Sequence, residues 1–292
     1  MLDNIADLLL TVGLLASVFG FPATFALQYM VPGTAIGVLF GDLVFFFMAL
    51  ALARRTGRED VTAMPLGLDT PSTIAMVLFV LGPAFLQGRQ QLGLTELEAA
   101  TRTWHIGICA IFISGIFKIA SAFVAGIVHR IVPRAGLLGS LTAIALVLIS
   151  FLPLLDVMRY PVVGMVALAI ILTTLVARVD LPWRIPGALG ALLVAGAIYY
   201  TMLWTGMLHA EPVGFDPVDG LLPVGWLEAF TFRWFAAMSD TMVYLPIVIP
   251  FALATVVGGI DCTESASAAG DTYDTRLVIG TEGLATLLAA MV

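Results

Sequence analysis

Charge is what this chain has least of. Asp, Glu, Lys and Arg make up 11% of its 292 residues and 60% are hydrophobic, whereas a soluble domain carries about 25% charged residues. That shortage excludes a soluble globular domain and points to a polytopic helical membrane protein. Cysteine is scarce as well: Cys109 and Cys262 lie in or beside apolar stretches without ligand spacing, so neither a disulfide framework nor a zinc site is expected. The histidines, His105, His129 and His209, fall at segment ends far apart. With no nucleophile motif and no Gly-rich phosphate loop after a strand, an enzyme is not expected, nor a cofactor. A basic cluster is also missing, so no nucleic-acid partner is expected, and the net charge of -7 resides mostly in loops. Asp3 and Asp7 stand where a secretory signal would have its positive flank, so the apolar run from Ile5 is read as a retained span.

What is present is apolar length, with a mean hydropathy of +1.05. About 20 helical residues cross a hydrocarbon core of roughly 30 Å. The pattern predicts a first span over Ile5 to Phe25 and a second over Pro32 to Ala53, joined by a short uncharged turn. A polar loop over Leu86 to Trp104 precedes spans over His105 to Val128, Leu137 to Leu155, Val162 to Ala177 and Gly187 to Trp204, with proline and charge at the junctions. Leu208 to Asp240 is polar except for Trp226, Phe230, Phe232, Trp234 and Phe235, which predict an aromatic helix lying at the interface. An eighth span starts near Met242, carries Pro246 and Pro250, and runs through Gly258 and Gly259 into Asp261 and Glu264. A polar turn, Gly270 to Arg276, leads to a last apolar run.

Between the second and fourth spans lies a stretch broken where breaking is costly. Asp60 to Ser72 carries Pro65, Gly67, Asp69 and Pro71 between two apolar runs. Irregular backbone at membrane depth survives only where protein covers it or where it lines a polar cavity, as in the substrate sites of transporters. Thr70 followed by Pro71 predicts a helix start, with Asp69 or Thr70 as its cap. A helix from Pro71 to Phe85 would rise roughly 22 Å, less than the hydrocarbon core, so its N-terminus is expected inside the bilayer facing a ligand.

Arginine placement sets the orientation. Arg54, Arg55, Arg58, Arg130, Arg134, Arg178, Arg184 and Arg276 fall in loops on one side, against Arg89, Arg102, Arg159 and Arg233 on the other. Positive charge accumulates inside, so the N-terminus is predicted to be cytoplasmic in an inner (plasma) membrane. Ionisable groups within spans are functional candidates by default. Asp42 and Lys118 are expected to form a structural pair or to serve proton coupling, with Asp69 and Asp261 as other partners for Lys118. Asp261 and Glu264 share a helical face, where one of two carboxyls would hold a proton. Glu264 is placed at the inner surface, Asp271, Asp274 and Arg276 in a solvated turn, and Glu282 at the interface. Gly33, Gly37 and Gly41 form a small-residue face expected to pack against the broken stretch.

The run Val31-Pro-Gly-Thr-Ala-Ile-Gly-Val-Leu-Phe-Gly-Asp42, the broken Thr62-Ala-Met-Pro-Leu-Gly-Leu-Asp-Thr-Pro71, and Pro250-Phe-Ala-Leu leading to Gly-Ile-Asp-Cys-Thr-Glu264 resemble the xanthine/uracil permease family, the nucleobase:cation symporters. The resemblance implies an all-α fold of two inverted repeats of seven segments, with the third segment half strand and half helix. This chain would cover the first eight segments and the start of the ninth. It implies a core domain over 1–134, a gate domain over 135–207, an external loop with the aromatic helix over 208–241, and a return to the core over 242–292. The implied activity is uptake of a nucleobase by alternating access in the bilayer, coupled to a proton or sodium ion, with a homodimer left open. The ligand would lie between Leu68, Asp69 and Thr70 and the stretch bearing Gly258, Asp261 and Cys262, with backbone N–H groups reading its carbonyls. Asp261, Glu264, Asp42 and Lys118 are the proton-coupling candidates. The family's ligand-binding glutamate would fall near Gly258, where no acid stands. A sulfate or bicarbonate carrier holding its anion between facing helix N-termini is therefore an alternative. A truncated, non-transporting membrane protein is another, because the tenth segment that would face the break is not in the sequence.

Overall fold

The computed structural model describes residues 2–64, 67–131, 146, 150–182, 185–209 and 223–291. Among them every regular element is helical, and five helices are long and apolar enough to cross a membrane. Exposed apolar surface of that extent suits lipid rather than water, so the chain is a membrane-embedded all-α protein. In chain order the helices are α1 (Leu2–Phe19), α2 (Ala23–Thr56), α3 (Thr70–Gln90), α4 (Glu96–Ile131), α5 (Leu152–Val157), α6 (Pro161–Val176), α7 (Gly187–Trp204), α8 (Leu245–Ala268) and α9 (Thr275–Met291). The chain divides into two units, one of Met1–Ala143 with Phe215–Val292 and the other of Ile144–Gly214.

The proline expected to open the second span, Pro32, lies inside a longer helix. The turn predicted before Pro32 is a π turn, Ala26–Met30, running directly into the rest of α2. In α3 a second π turn, Val77–Leu81, stands just ahead of Pro83. Proline has no N–H to give and crowds the preceding turn, and a widened turn immediately upstream makes room for its ring. So α3 runs on to Gln90 and has the length of a full span. The short half-helix ending at Phe85 is not what forms. α2 ends where Gly57, at φ 68°, donates its N–H to Ala53 O at 2.8 Å.

The polar loop predicted over Leu86 to Trp104 shrinks to residues 91–95, because α4 starts at Glu96. Thr95 and Glu98 form a reciprocal cap: the Glu98 carboxylate accepts from Thr95 N at 2.9 Å, and Thr95 Oγ1 accepts from Glu98 N at 3.3 Å. The half strand expected in the third segment is absent among the described residues, and 58–64 and 67–69 are irregular. A strand needs an edge to pair with; this backbone instead pairs with side chains from other elements.

The aromatic segment forms two 3₁₀ turns, Gly225–Thr231 and Arg233–Ala237, broken by Phe232 at φ 55°. Phe230, Phe232 and Phe235 are exposed, as an interfacial anchor requires, but Trp234 is 1% exposed. Its indole donates to Ala229 O at 3.0 Å, and its carbonyl accepts from Cys109 Sγ at 3.1 Å. Trp234 belongs to a core built with Val12, Leu15, Phe21, Phe25, Phe85 and Trp104.

Glycines set the packing of α9, which lies against both α2 and α4. A Cβ on Gly37 of α2 would come within 3.0 Å of the Ala285 carbonyl oxygen. On α4, a Cβ at Gly115 would meet Leu287 N at 2.9 Å, and one at Gly283 of α9 would meet Ile119 N at the same distance. Small residues let backbones close to van der Waals range where lipid supplies no hydrophobic drive. The partner of the Gly33, Gly37, Gly41 face is thus α9 rather than the broken stretch.

In the second unit α7 has the predicted bounds, and α6 extends into a π turn, Leu172–Val176. Gly187 packs on Thr174 and Gly190 on Leu181. Residues 137–145 and 147–149 of the predicted fifth span lie outside the described residues, as do Pro65, Leu66, Arg134, Arg184 and 210–222 of the predicted external loop.

Candidate functional site

The broken stretch is gripped at both ends. At its start, Arg58 donates to Asp60 Oδ1 at 2.9 Å, to Gly270 O at 2.8 Å and to Asp271 Oδ1 at 2.9 Å. Asp271 also accepts from Thr62 N at 2.9 Å, and Tyr273 donates its hydroxyl to Thr62 O at 2.5 Å. Asp271 is 2% exposed, so the turn predicted to be solvated is a clamp. Its carboxylate is buried because it meets a guanidinium and a backbone N–H from the break. At the far end α1 does the holding: Asn4 Oδ1 accepts from Leu68 N at 3.0 Å, and Asp7, 4% exposed, accepts from Thr70 Oγ1 at 3.1 Å.

Asp69 caps α3, accepting from Ser72 N at 3.0 Å and from the Ser72 hydroxyl. Thr73 N donates to Asp69 O at 2.9 Å. The N–H groups of Leu68, Ser72 and Thr73, expected to face a ligand, therefore serve the fold. A ligand here would be read by side chains.

Those side chains surround a small cavity of about 80 Å³. Its walls are Ser72, Met76 and Val80 of α3, Ser114 and Lys118 of α4, and Ile247, Val248, Phe251, Ala252 and Thr255 of α8. Three hydroxyls and one ammonium thus stand among apolar walls. The α8 wall stops at Thr255. Gly258, Asp261 and Cys262 lie further along α8, Asp261 by roughly 9 Å at 1.5 Å per residue, and Cys262 is exposed. Glu264 is partly buried within α8, one turn before its end.

Lys118 is the one cation among the cavity walls. Its ammonium donates to Thr286 Oγ1 of α9 at 3.3 Å, and Thr286 donates to the Glu282 carbonyl at 2.7 Å. The charges it faces are Glu282 and Asp69. Asp42 is exposed on α2, and the Lys118 ammonium turns instead to α9, where Thr286 accepts from it. Glu282 itself does not sit at the interface. Its carboxylate fills the notch over Gly259, where a Cβ would be 2.8 Å from both oxygens. An acid does stand beside Gly259, though not beside Gly258, and α9 supplies it. Only the pairing of Gly258-Gly259 with a later glutamate could have signalled it.

A second, wider depression of about 480 Å³ lies over the start of α4, lined by Glu98, Thr101, Arg102, His105, Ala237 and Asp240 among others. Arg102 spans it, donating to Asp240 at 2.7 Å, and reaches back to Ala84 O and Gln87 Oε1 at 3.4 Å. That makes it a tie between α3, α4 and the approach to α8. Among the described residues no cluster of His, Cys, Asp and Glu could hold a metal ion.

Fold and cavity together define a helical membrane protein whose bundle encloses polar groups and charge. No family model, curated protein or solved structure matches the chain.

Proposed function

We propose that the chain works as a secondary active transporter, taking up a nucleobase-like heterocycle together with a proton by alternating access. The observation that carries this reading is the cavity itself. An ammonium and three hydroxyls line one space between α3, α4 and α8, among apolar side chains where an unpaired charge is costly. Lys118 and Ser114 suit the carbonyls of a planar ring, Ser72 and Thr255, whose hydroxyls donate to Asp69 and to Ala252 O, suit its N–H groups, and Phe251 and Met76 suit its faces. The resemblance to the xanthine/uracil permeases supplies the substrate class, and the irregular backbone before α3 supports a site of transporter type. The N-in orientation follows from the arginine bias.

One observation favours an anion such as sulfate or bicarbonate instead: the described walls carry Lys118 and no carboxylate. Uptake of radiolabelled xanthine, uracil and sulfate into proteoliposomes decides between the readings. Saturable nucleobase uptake, lost in Lys118→Ala, is the expected result. Saturable sulfate uptake indifferent to nucleobases would establish the anion carrier, and uptake of none of the three would leave a non-transporting membrane protein.

A further inference from the structure

We propose that the cavity reads a ureido edge, a carbonyl flanked by two N–H groups, and that Ser72 and Thr255 set this specificity by accepting from the two N–H groups while Lys118 donates to the carbonyl. The inference deepens the transport reading and rests on it in taking this cavity as the cargo site. It turns on which hydroxyl hydrogens of the walls are already in use.

A hydroxyl has one hydrogen to give and two lone pairs with which to accept. Ser72 gives its hydrogen to the Asp69 carboxylate, a charge-assisted bond that fixes its direction. The same carboxylate oxygen accepts from Ser72 N at 3.0 Å. Thr255 Oγ1 gives its hydrogen to Ala252 O at 2.8 Å, within its own helix. Toward a ligand, both oxygens therefore act as acceptors. The α4 wall has the opposite polarity. The Lys118 ammonium has three hydrogens, of which Thr286 Oγ1 takes one at 3.3 Å. Ser114, one turn earlier on the same helix, has its hydroxyl hydrogen uncommitted among the described residues.

Three helices thus offer acceptor, donor and acceptor to one space of about 80 Å³: Ser72 of α3, Lys118 of α4 and Thr255 of α8. The complementary ligand edge is N–H, C=O, N–H. Cyclic ureides carry it, and the rest of their planar ring is left to Met76 and Phe251. Sulfate has only lone pairs to offer. It would satisfy Lys118 but set its oxygens against those of Ser72 and Thr255, after giving up its water for apolar walls. A ureide methylated on both nitrogens would likewise leave the two acceptors facing methyl groups, which a site built on hydrogen bonds rejects.

Ligand-induced stabilisation of the purified full chain in detergent tests this, read as a rise in the unfolding midpoint with added probe. The probes are uracil, hydantoin, the N,N′-dimethyl derivative of each, and sodium sulfate. At least one of the two ureides should raise the midpoint, and its dimethyl derivative should bind about tenfold or more weakly. Thr255→Val keeps the shape of the side chain and removes the acceptor. There the affinity of the parent ureide should fall toward that of its derivative, whose own affinity should stay, and Thr255→Ser should restore the difference. Rejection of the derivative by bulk alone would leave the parent's affinity intact in Thr255→Val and would overturn the proposal. So would equal binding of parent and derivative, stabilisation by sulfate in preference to both ureides, or stabilisation by none of the probes. Ser72→Ala makes the same comparison at the other acceptor, and the wild-type panel refutes the proposal by itself if neither variant folds. Stabilisation by hydantoin without uracil would keep the ureido edge and remove the nucleobase; ureide binding without uptake in proteoliposomes would keep the edge and remove the transporter.

Discussion

Removing the Asp271 carboxyl takes two partners from the break at once, the Arg58 guanidinium and the Thr62 N–H. In Asp271→Ala, trypsin should cut after Arg58 several-fold faster than in the wild type while the rest of the chain keeps its pattern, since cleavage tracks local opening. The same clamp has a defined pH window. The hydrogen bond from Arg58 holds the Asp60 carboxyl below the usual carboxylate range; its contribution is present above about pH 4 and is lost as pH falls through the lowered value. Burial, helped by the Asp271 carboxylate, holds the Tyr273 phenol above its ordinary range. That contribution is present below about pH 10 and lost as pH rises further. Hydrogen exchange of residues 58–64 should therefore be equally protected from about pH 5 to about pH 9 and weaken beyond both limits, once corrected for the intrinsic rate. At this scale the sequence was least legible. Asp271 and Glu282 look like turn and interface residues because their neighbours, Arg58 and Gly259, are far away along the chain or on another helix and no periodicity connects them. Asp7 was noticed for its charge beside the first span, but its bond to Thr70 depends on how α1 lies against α3.

Helix termini and small-residue faces were easier to read than helix lengths. The start of α3 at Thr70 and both ends of α7 follow from caps, prolines and apolar periodicity, all local signals. The start of α4 was equally local, since Thr95 and Glu98 have the spacing of a capping box. The polar residues between Glu96 and Arg102 masked it. Thr95→Ala should cost about 1 kcal/mol, seen as a lowered denaturation midpoint in detergent with unchanged helix content beyond the first turn of α4. Pro32 reads as a boundary because a proline ordinarily is one; the upstream π turn that accommodates it, like the one ahead of Pro83, depends on tertiary packing. The glycine face of α2 was legible as a face, though its partner was not. Gly37→Leu drives a side chain into α9 at Ala285 and Ala289. It should cost about 1–3 kcal/mol or more, measured by thermal unfolding, while Gly13→Leu, with open space around it, should be close to neutral.

For the molecule as a whole, composition alone fixed the class, because 60% hydrophobic residues in long runs leave few alternatives to a bilayer. The packing of the bundle is another matter. α9 fills the space between α2 and α4, and the unit of Met1–Ala143 with Phe215–Val292 has its two sequence-distant parts joined there. A chain ended at Gly270 should lose both the clamp and this filler. Size-exclusion chromatography in mild detergent should then show aggregation, whereas the full chain should run as a single sharp peak.

That arrangement bears on how the protein is made. α2 and α4 leave the ribosome long before α9, so their facing glycines spend the interval with only lipid tails between them. The groove they form has to stay ajar, and the late helix must displace those tails sideways before the bundle can lock. Biogenesis then hinges on a lateral entry step, and any membrane composition that stiffens acyl chains should slow maturation of this protein more than that of bundles assembled strictly in order of synthesis.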